Sequence, residues 1–228
     1  MARLARVVIP GLPHHVTQRG NRRALVFFED HERQRYLALV QQYCRRYGLQ
    51  VLAYCLMDNH MHWVVVPDTE AALGQTIREA HTAYAASFNV AHRAQGHVFQ
   101  GRFFSCALDD EHLWAAVRYV ERNPVRAGLT AAAEDYPWSS AQGHCGLRQD
   151  FLLAAAFPPA GAVADWRAWL KTEDVPQSDF LRRQTQTGRP CGSPGSVRQL
   201  EVQLNRALLP RPRGPRRRVV VQGQGDLF

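Results

Sequence analysis

The stretch Ala53-Tyr54-Cys55-Leu56-Met57-Asp58-Asn59-His60-Met61-His62-Trp63-Val64-Val65-Val66-Pro67 leaves this chain few ways to fold. Two apolar runs meet at Asp58-Asn59, a pair that tolerates turn conformations, so the stretch predicts two antiparallel strands joined by a tight turn. Strand alternation puts His60, His62, Val64 and Val66 on one face and Met61, Trp63 and Val65 on the other, the expected core side. Two neutral imidazoles on one rigid strand make a platform for a single divalent cation. A partly exposed polar face with no ligand shows the same pattern, so a third ligand and a reacting group must be sought on other elements.

The flanking residues predict further elements in a definite order. A short strand over 15–19 follows the loop at Gly11-Leu12-Pro13 and closes at Gly20-Asn21, with Arg19, Arg22 and Arg23 clustered at its end. Asp30 is the expected cap of a helix on which Tyr36, Val40, Tyr43 and Tyr47 share a face, stopped by Gly48. That aromatic stripe suits a core better than a base-stacking platform. Strands follow over 49–57 and 59–66. A second helix spans 70–93, with Leu73, Ile77, Ala80, Tyr84 and Phe88 inward and His81 and His92 as ordinary surface or packed residues. Residues 97–108 form an extended segment ending in a fourth strand, where Phe99, Phe103 and Phe104 beside Arg102 mix aromatic and basic character. Asp109 caps a third helix over 110–122, with Leu113, Ala116, Val117 and Val120 as its apolar positions and Pro124 as its stop. Tyr119 and Asn123 stand four residues apart, which puts a phenol and a carboxamide on one helix face.

Composition then sets limits on class. With 228 residues, 46% of them hydrophobic, the chain is long enough for a proper core of one or two domains. No apolar run reaches membrane-spanning length, and the start, with Arg3 and Arg6, has too short an apolar run for a signal peptide. Five cysteines without Cys-x-x-Cys spacing argue for reduced thiols in a cytoplasmic setting, against a zinc ribbon or a disulfide frame. The net charge is +8, and Lys171 is the only lysine. From Leu181 onward ten arginines face only Glu201 and Asp226, an excess equal to that of the whole chain. A basic tail on a balanced domain points to a nucleic-acid partner, and a solubilising tail is the bland alternative.

Three segments now occur in order: His60-Met61-His62; Gly96-His97-Val98-Phe99-Gln100-Gly101-Arg102-Phe103; and Tyr119-Val120-Glu121-Arg122-Asn123-Pro124-Val125-Arg126-Ala127-Gly128-Leu129. Together they resemble the single-tyrosine HUH transposases, especially the bacterial REP-associated tyrosine transposases and their insertion-sequence relatives, over roughly residues 5–145. The resemblance implies an α+β, ferredoxin-like sandwich with a central antiparallel sheet, and the element order above fits that layout. It implies that His60, His62 and Asn123 ligate Mg²⁺ or Mn²⁺ and that Tyr119 is the nucleophile. The implied chemistry is attack on a DNA phosphodiester to give a 5′-phosphotyrosine and a free 3′-OH. Single-stranded or hairpin DNA from palindromic repeats is the implied substrate. A monomer or a homodimer, near the nucleoid, is the implied state.

Residues 146–228 form the expected C-terminal extension to a catalytic domain over 1–145. Residues 154–164 predict a linker, 165–170 a short helix with Trp166 and Trp169, and 184–195 a polar irregular stretch. Ser196-Val197-Arg198-Gln199 then predicts a capped amphipathic helix carrying Val197, Leu200, Leu204 and Leu208. Arg211, Arg213, Arg216, Arg217 and Arg218 form an expected disordered basic arm for a DNA groove, joined as candidate DNA contacts by Arg19, Arg22, Arg23 and Arg102. Three function classes follow. The first is a DNA-nicking and strand-joining enzyme. The second is a DNA-binding repressor or structural binder that no longer cuts. The third is a metal-dependent hydrolase of another substrate.

Overall fold

The computed structural model describes residues 5–172 and 175–209. Four strands, β1 (His14–Arg19), β2 (Leu49–Met57), β3 (His60–Pro67) and β4 (Phe104–Ala107), form one sheet in the order β2-β3-β1-β4. All three pairings are antiparallel. This is the α+β sandwich that the resemblance implied and the element order fitted, with β4 confined to four residues of the longer extended segment.

Helices α1 (Asp30–Tyr47) and α2 (Ala72–Ala91) cover one face, where Met61, Trp63 and Val65 pack with Tyr36, Val40, Leu73, Ile77 and Tyr84. Glu29, not Asp30, caps α1, because Glu29 and Glu32 form a reciprocal capping box. Cys44 is buried on the α1 stripe, while Tyr43 and Tyr47 are half-buried at its edge. Gly48 ends α1 with φ +70°, the left-handed cap a glycine adopts without strain. His81 is tied into this layer: its ring lies 4.1 Å from Phe99, and its Nε2 is 2.9 Å from the Tyr36 hydroxyl.

The opposite face is a second core rather than an open platform. Val64, Cys55 and Ala53 pack there with Ala116, Val117 and Val120 of α3 (Asp110–Glu121). A register shift between Val51 and Ala53 lets Leu52 and Ala53 both serve this face. The Asp109 carboxylate accepts from the His112 N–H and starts α3 as the sequence predicted. Pro124 does not end the helical path. Arg122 stays in the right-handed helical region, with φ −83° and ψ −1°, and α4 (Asn123–Arg126) follows it with proline in its first turn, where no N–H is needed. Gly128, with φ +70°, closes this short helix.

After the short α5 (Ala141–His144), helices α6 (Trp166–Lys171) and α7 (Val175–Thr187) add Trp166, Leu170 and Leu181 to this second core. The sequence reading left 184–187 irregular. The segment is helical because Ser178, Leu181 and Thr185 recur at spacings of three and four and are buried together. Helix α8 (Pro194–Gln203) is capped by Ser193, three residues earlier than expected, because Pro194 suits the first helical position. Its Val197 packs with Val7, Ile9, Ala107 and Leu208, so the amphipathic face finds its partner within the chain. The arginine arm 211–218 lies outside the described residues. Among the described residues no helix is long and apolar enough to cross a membrane.

Candidate active site

The site forms where the β2-β3 turn, strand β1 and the α3-α4 junction meet. The turn is held from several sides. Val26 and Phe27 donate backbone N–H groups to the Asp58 carbonyl at 2.7 and 3.0 Å, Gly20 N–H donates to the Asn59 carbonyl at 2.9 Å, and Arg33 pairs with the Asp58 carboxylate. This fixes the start of β3 and so the direction of His60. The Asn59 carboxamide nitrogen donates to the Arg23 carbonyl, which turns its oxygen toward His60. His60 Nδ1–H donates to that oxygen at 2.7 Å, leaving Nε2 as the bare nitrogen.

His60 and His62 stand side by side, ring centroids 5.1 Å apart. The Tyr119 ring lies edge-on to His62 at 5.5 Å and to His15 at 5.7 Å. Asn123 donates its carboxamide N–H to the Tyr119 carbonyl at 3.2 Å, which makes Oδ1 the outward end of the group. The helical i, i+4 relation holds up to the residue before Pro124 because Arg122 stays in the right-handed helical region. The four residues singled out in sequence are thus brought into one neighbourhood.

Burial dominates the electrostatics. It pushes His60 down to about 4, helped by the positive charge of Arg19, which pairs opposite His60 in the sheet. Burial also holds His62 well below the ordinary histidine value, with His15 and His60 adding to the effect, and pushes His15 down to about 3. All three rings are therefore neutral at neutral pH and carry one lone pair each. Around Tyr119 the field is positive. The Arg126 guanidinium carbon lies 4.2 Å from its ring centre, and a narrow crevice beside it is lined by Arg118, Arg122, Arg126, Gln177 and Ser178.

The donor set suits a small divalent cation. No group of three His, Cys, Asp or Glu assembles a metal site among the described residues, so a cation on His60 and His62 would need a further donor of another type, and the Asn123 carboxamide oxygen is of that type. Two neutral nitrogens and one amide oxygen leave coordination positions for substrate oxygens.

The candidate DNA contacts divide. Arg19, Arg22 and Arg23 are exposed at the His60 end of the sheet, where Arg22 and Arg23 adopt φ of 53° and 65°. Arg102 lies apart, on a groove of about 620 Å³ shared with Arg6, Arg78 and Phe103 beside α2. Phe99 and Phe103 are buried rather than displayed. Sequence reasoning missed Arg126, although 119, 123 and 126 follow helical spacing. It also missed His15 and Thr185, whose role depends on tertiary contacts that no local pattern encodes.

Comparison with known proteins bears on the family and the fold. The sequence model of the family described as "Transposase IS200 like" matches residues 9–123. Among solved structures, the chain is similar to one described as the REP associates tyrosine transposase bound to a REP hairpin. The match has a TM-score of 0.55 and 21% identity, and covers 65% of this chain and 88% of that one. No curated protein matches the chain.

Proposed function

Because the chain belongs to the IS200-like transposases, single-tyrosine enzymes of the HUH superfamily, we propose that it cuts and rejoins single-stranded, hairpin-forming DNA through Tyr119. The observation that carries this reading is the placement of the Tyr119 ring 5.5 Å from the His62 ring, with Arg126 over its face. His60 and Asn123 stand beside them.

In this reading the Tyr119 oxygen attacks the scissile phosphorus and the P–O3′ bond breaks. The net movement of one proton from phenol to leaving oxygen yields a 3′-OH and a 5′-phosphotyrosine. The reverse attack by another 3′-OH joins strands without an external energy source. Arg126 and its neighbours stabilise charge that builds on the phosphoryl oxygens. His60 and His62 through Nε2, and Asn123 through Oδ1, are the residues that would hold Mg²⁺ or Mn²⁺, which would supply Lewis-acid polarisation of a phosphoryl oxygen. The structural relative is described as bound to a REP hairpin, which supports a hairpin as the substrate class here.

The test uses purified full-length protein, Mn²⁺ and 5′- or 3′-labelled hairpin oligonucleotides from the flanks of its own gene. A covalent adduct carrying the DNA 3′ of the cut, absent in Tyr119→Phe, is the expected result. Tight binding without adduct across several hairpins and both metals would instead favour a DNA-binding protein that no longer cuts. Turnover retained by Tyr119→Phe would favour a hydrolase that uses no tyrosine.

A further inference from the structure

We propose that Thr185 of α7, acting through His15, sets the tautomer of His62 and so turns its Nε2 lone pair toward the site. This proposal rests on the reading of His62 as a metal ligand.

Three contacts form one chain. His62 Nδ1 is 3.0 Å from His15 Nε2, His15 Nδ1 is 2.7 Å from Thr185 Oγ1, and the Thr185 hydroxyl donates to the Leu181 carbonyl at 2.8 Å. The two rings are nearly coplanar at 7°, with centroids 5.2 Å apart, as an in-plane hydrogen bond between ring nitrogens requires. The sheet makes this possible. His15 on β1 pairs opposite Val64, so it is the diagonal neighbour of His62 on the same face.

Direction follows from counting donors. Thr185 has one hydroxyl proton, and giving it to Leu181 makes its oxygen the acceptor for His15 Nδ1–H. His15 Nε2 is then bare and accepts from His62 Nδ1–H. His62 Nε2 is left without a proton, the form a metal ligand needs. The Cys106 thiol, 3.2 Å from Thr185 Oγ1, can donate to the second lone pair. The reversed chain sends the Thr185 proton to His15 and puts a proton on His62 Nε2. It makes one hydrogen bond fewer, because the contact with Leu181 is lost. All members of the chain are buried, so water does not scramble it.

His60 reaches the same tautomer through Asn59, next to it in sequence. His62 reaches it through a helix far along the chain, outside the residues the family match covers. Thr185 and His15 are positioning residues in this account.

The test is histidine side-chain ¹H–¹⁵N NMR on the metal-free full-length protein, with His62→Gln used to assign the signal, followed by Mn²⁺ titration. Wild type should show His62 protonated on Nδ1 and bare on Nε2. Thr185→Val should mix the His62 tautomers and weaken Mn²⁺ binding by roughly tenfold or more. Thr185→Ser, which keeps the hydroxyl, should restore both. A wild-type His62 protonated on Nε2 overturns the proposal without any variant, as does a Thr185→Val protein with wild-type tautomer and wild-type Mn²⁺ affinity. If wild type shows the expected tautomer yet binds no Mn²⁺, the metal reading fails while the relay stands.

Discussion

The Arg126 guanidinium carbon stands 4.2 Å from the centre of the Tyr119 ring, two helical turns on along the same face. A cation over an aromatic face fixes the ring and keeps positive charge beside the phenol. In the proposed reaction the same charge would face the phosphate under attack, where negative charge increases in the transition state. Arg126→Ala should slow adduct formation roughly tenfold, about 1.4 kcal/mol in barrier. Arg126→Lys, which keeps charge but loses the planar group, should recover part of it. Single-turnover cleavage of a labelled hairpin reads this directly, and equal rates for all three proteins would remove Arg126 from the site.

Glu121, fully buried two residues beyond Tyr119, accepts from Ser140 Oγ at 2.5 Å, His144 Nδ1 at 2.6 Å and Trp166 Nε1 at 2.7 Å. These donors come from two separate segments, Ser140 and His144 at the two ends of α5 and Trp166 on α6, so one carboxylate ties α3 to α5 and α6. Removing it strands three buried donors. Glu121→Ala should cost about 3–5 kcal/mol in urea unfolding, as loss of one partner in a buried charged cluster does. Trp166→Phe, which removes one hydrogen bond and part of a buried ring, should cost roughly 1–3 kcal/mol. A Glu121→Ala protein as stable as wild type would show that the cluster is not a structural tie.

Stability should fall in mild acid. His14 is buried with Nδ1–H donating to the Leu12 carbonyl at 2.8 Å and Nε2 accepting from Ile9 N–H at 3.3 Å, and burial pushes it down to about 4. His15 and His81 are likewise pushed down to about 3 by burial. Each takes up its proton in the unfolded chain near pH 6.5 but not in the folded one. Their contribution is therefore complete above 6.5 and is lost as pH falls toward 4 and 3. Each such histidine costs about 1.4 kcal/mol per pH unit below 6.5. Urea midpoints at pH 7.5 and 5 should differ accordingly, and His14→Gln should flatten the slope. An unchanged midpoint would mean that these rings titrate normally.

The sequence alone determined the framework. Period-two alternation through His60-Met61-His62-Trp63, the Asp58-Asn59 turn, the Asp109 cap and the Gly48 stop are local preferences, and the folded chain keeps each of them. The pairing of Tyr119 with Asn123 was legible for the same reason, since both precede Pro124 and helical spacing holds as far as Asn123. Tertiary structure decided what those elements face. Alternation says that two faces exist but not that both are covered, and the His60 face is a second core because α3, α6 and α7 close over it. Whether a proline breaks a helix or opens a new one depends on packing around Arg122 and Asn123. The link from Thr185 through His15 to His62 joins residues 170 and 47 positions apart, and only folding puts their hydrogen-bonding atoms within 3.0 Å of one another. A hydrogen bond requires that proximity, and sequence spacing has no bearing on it.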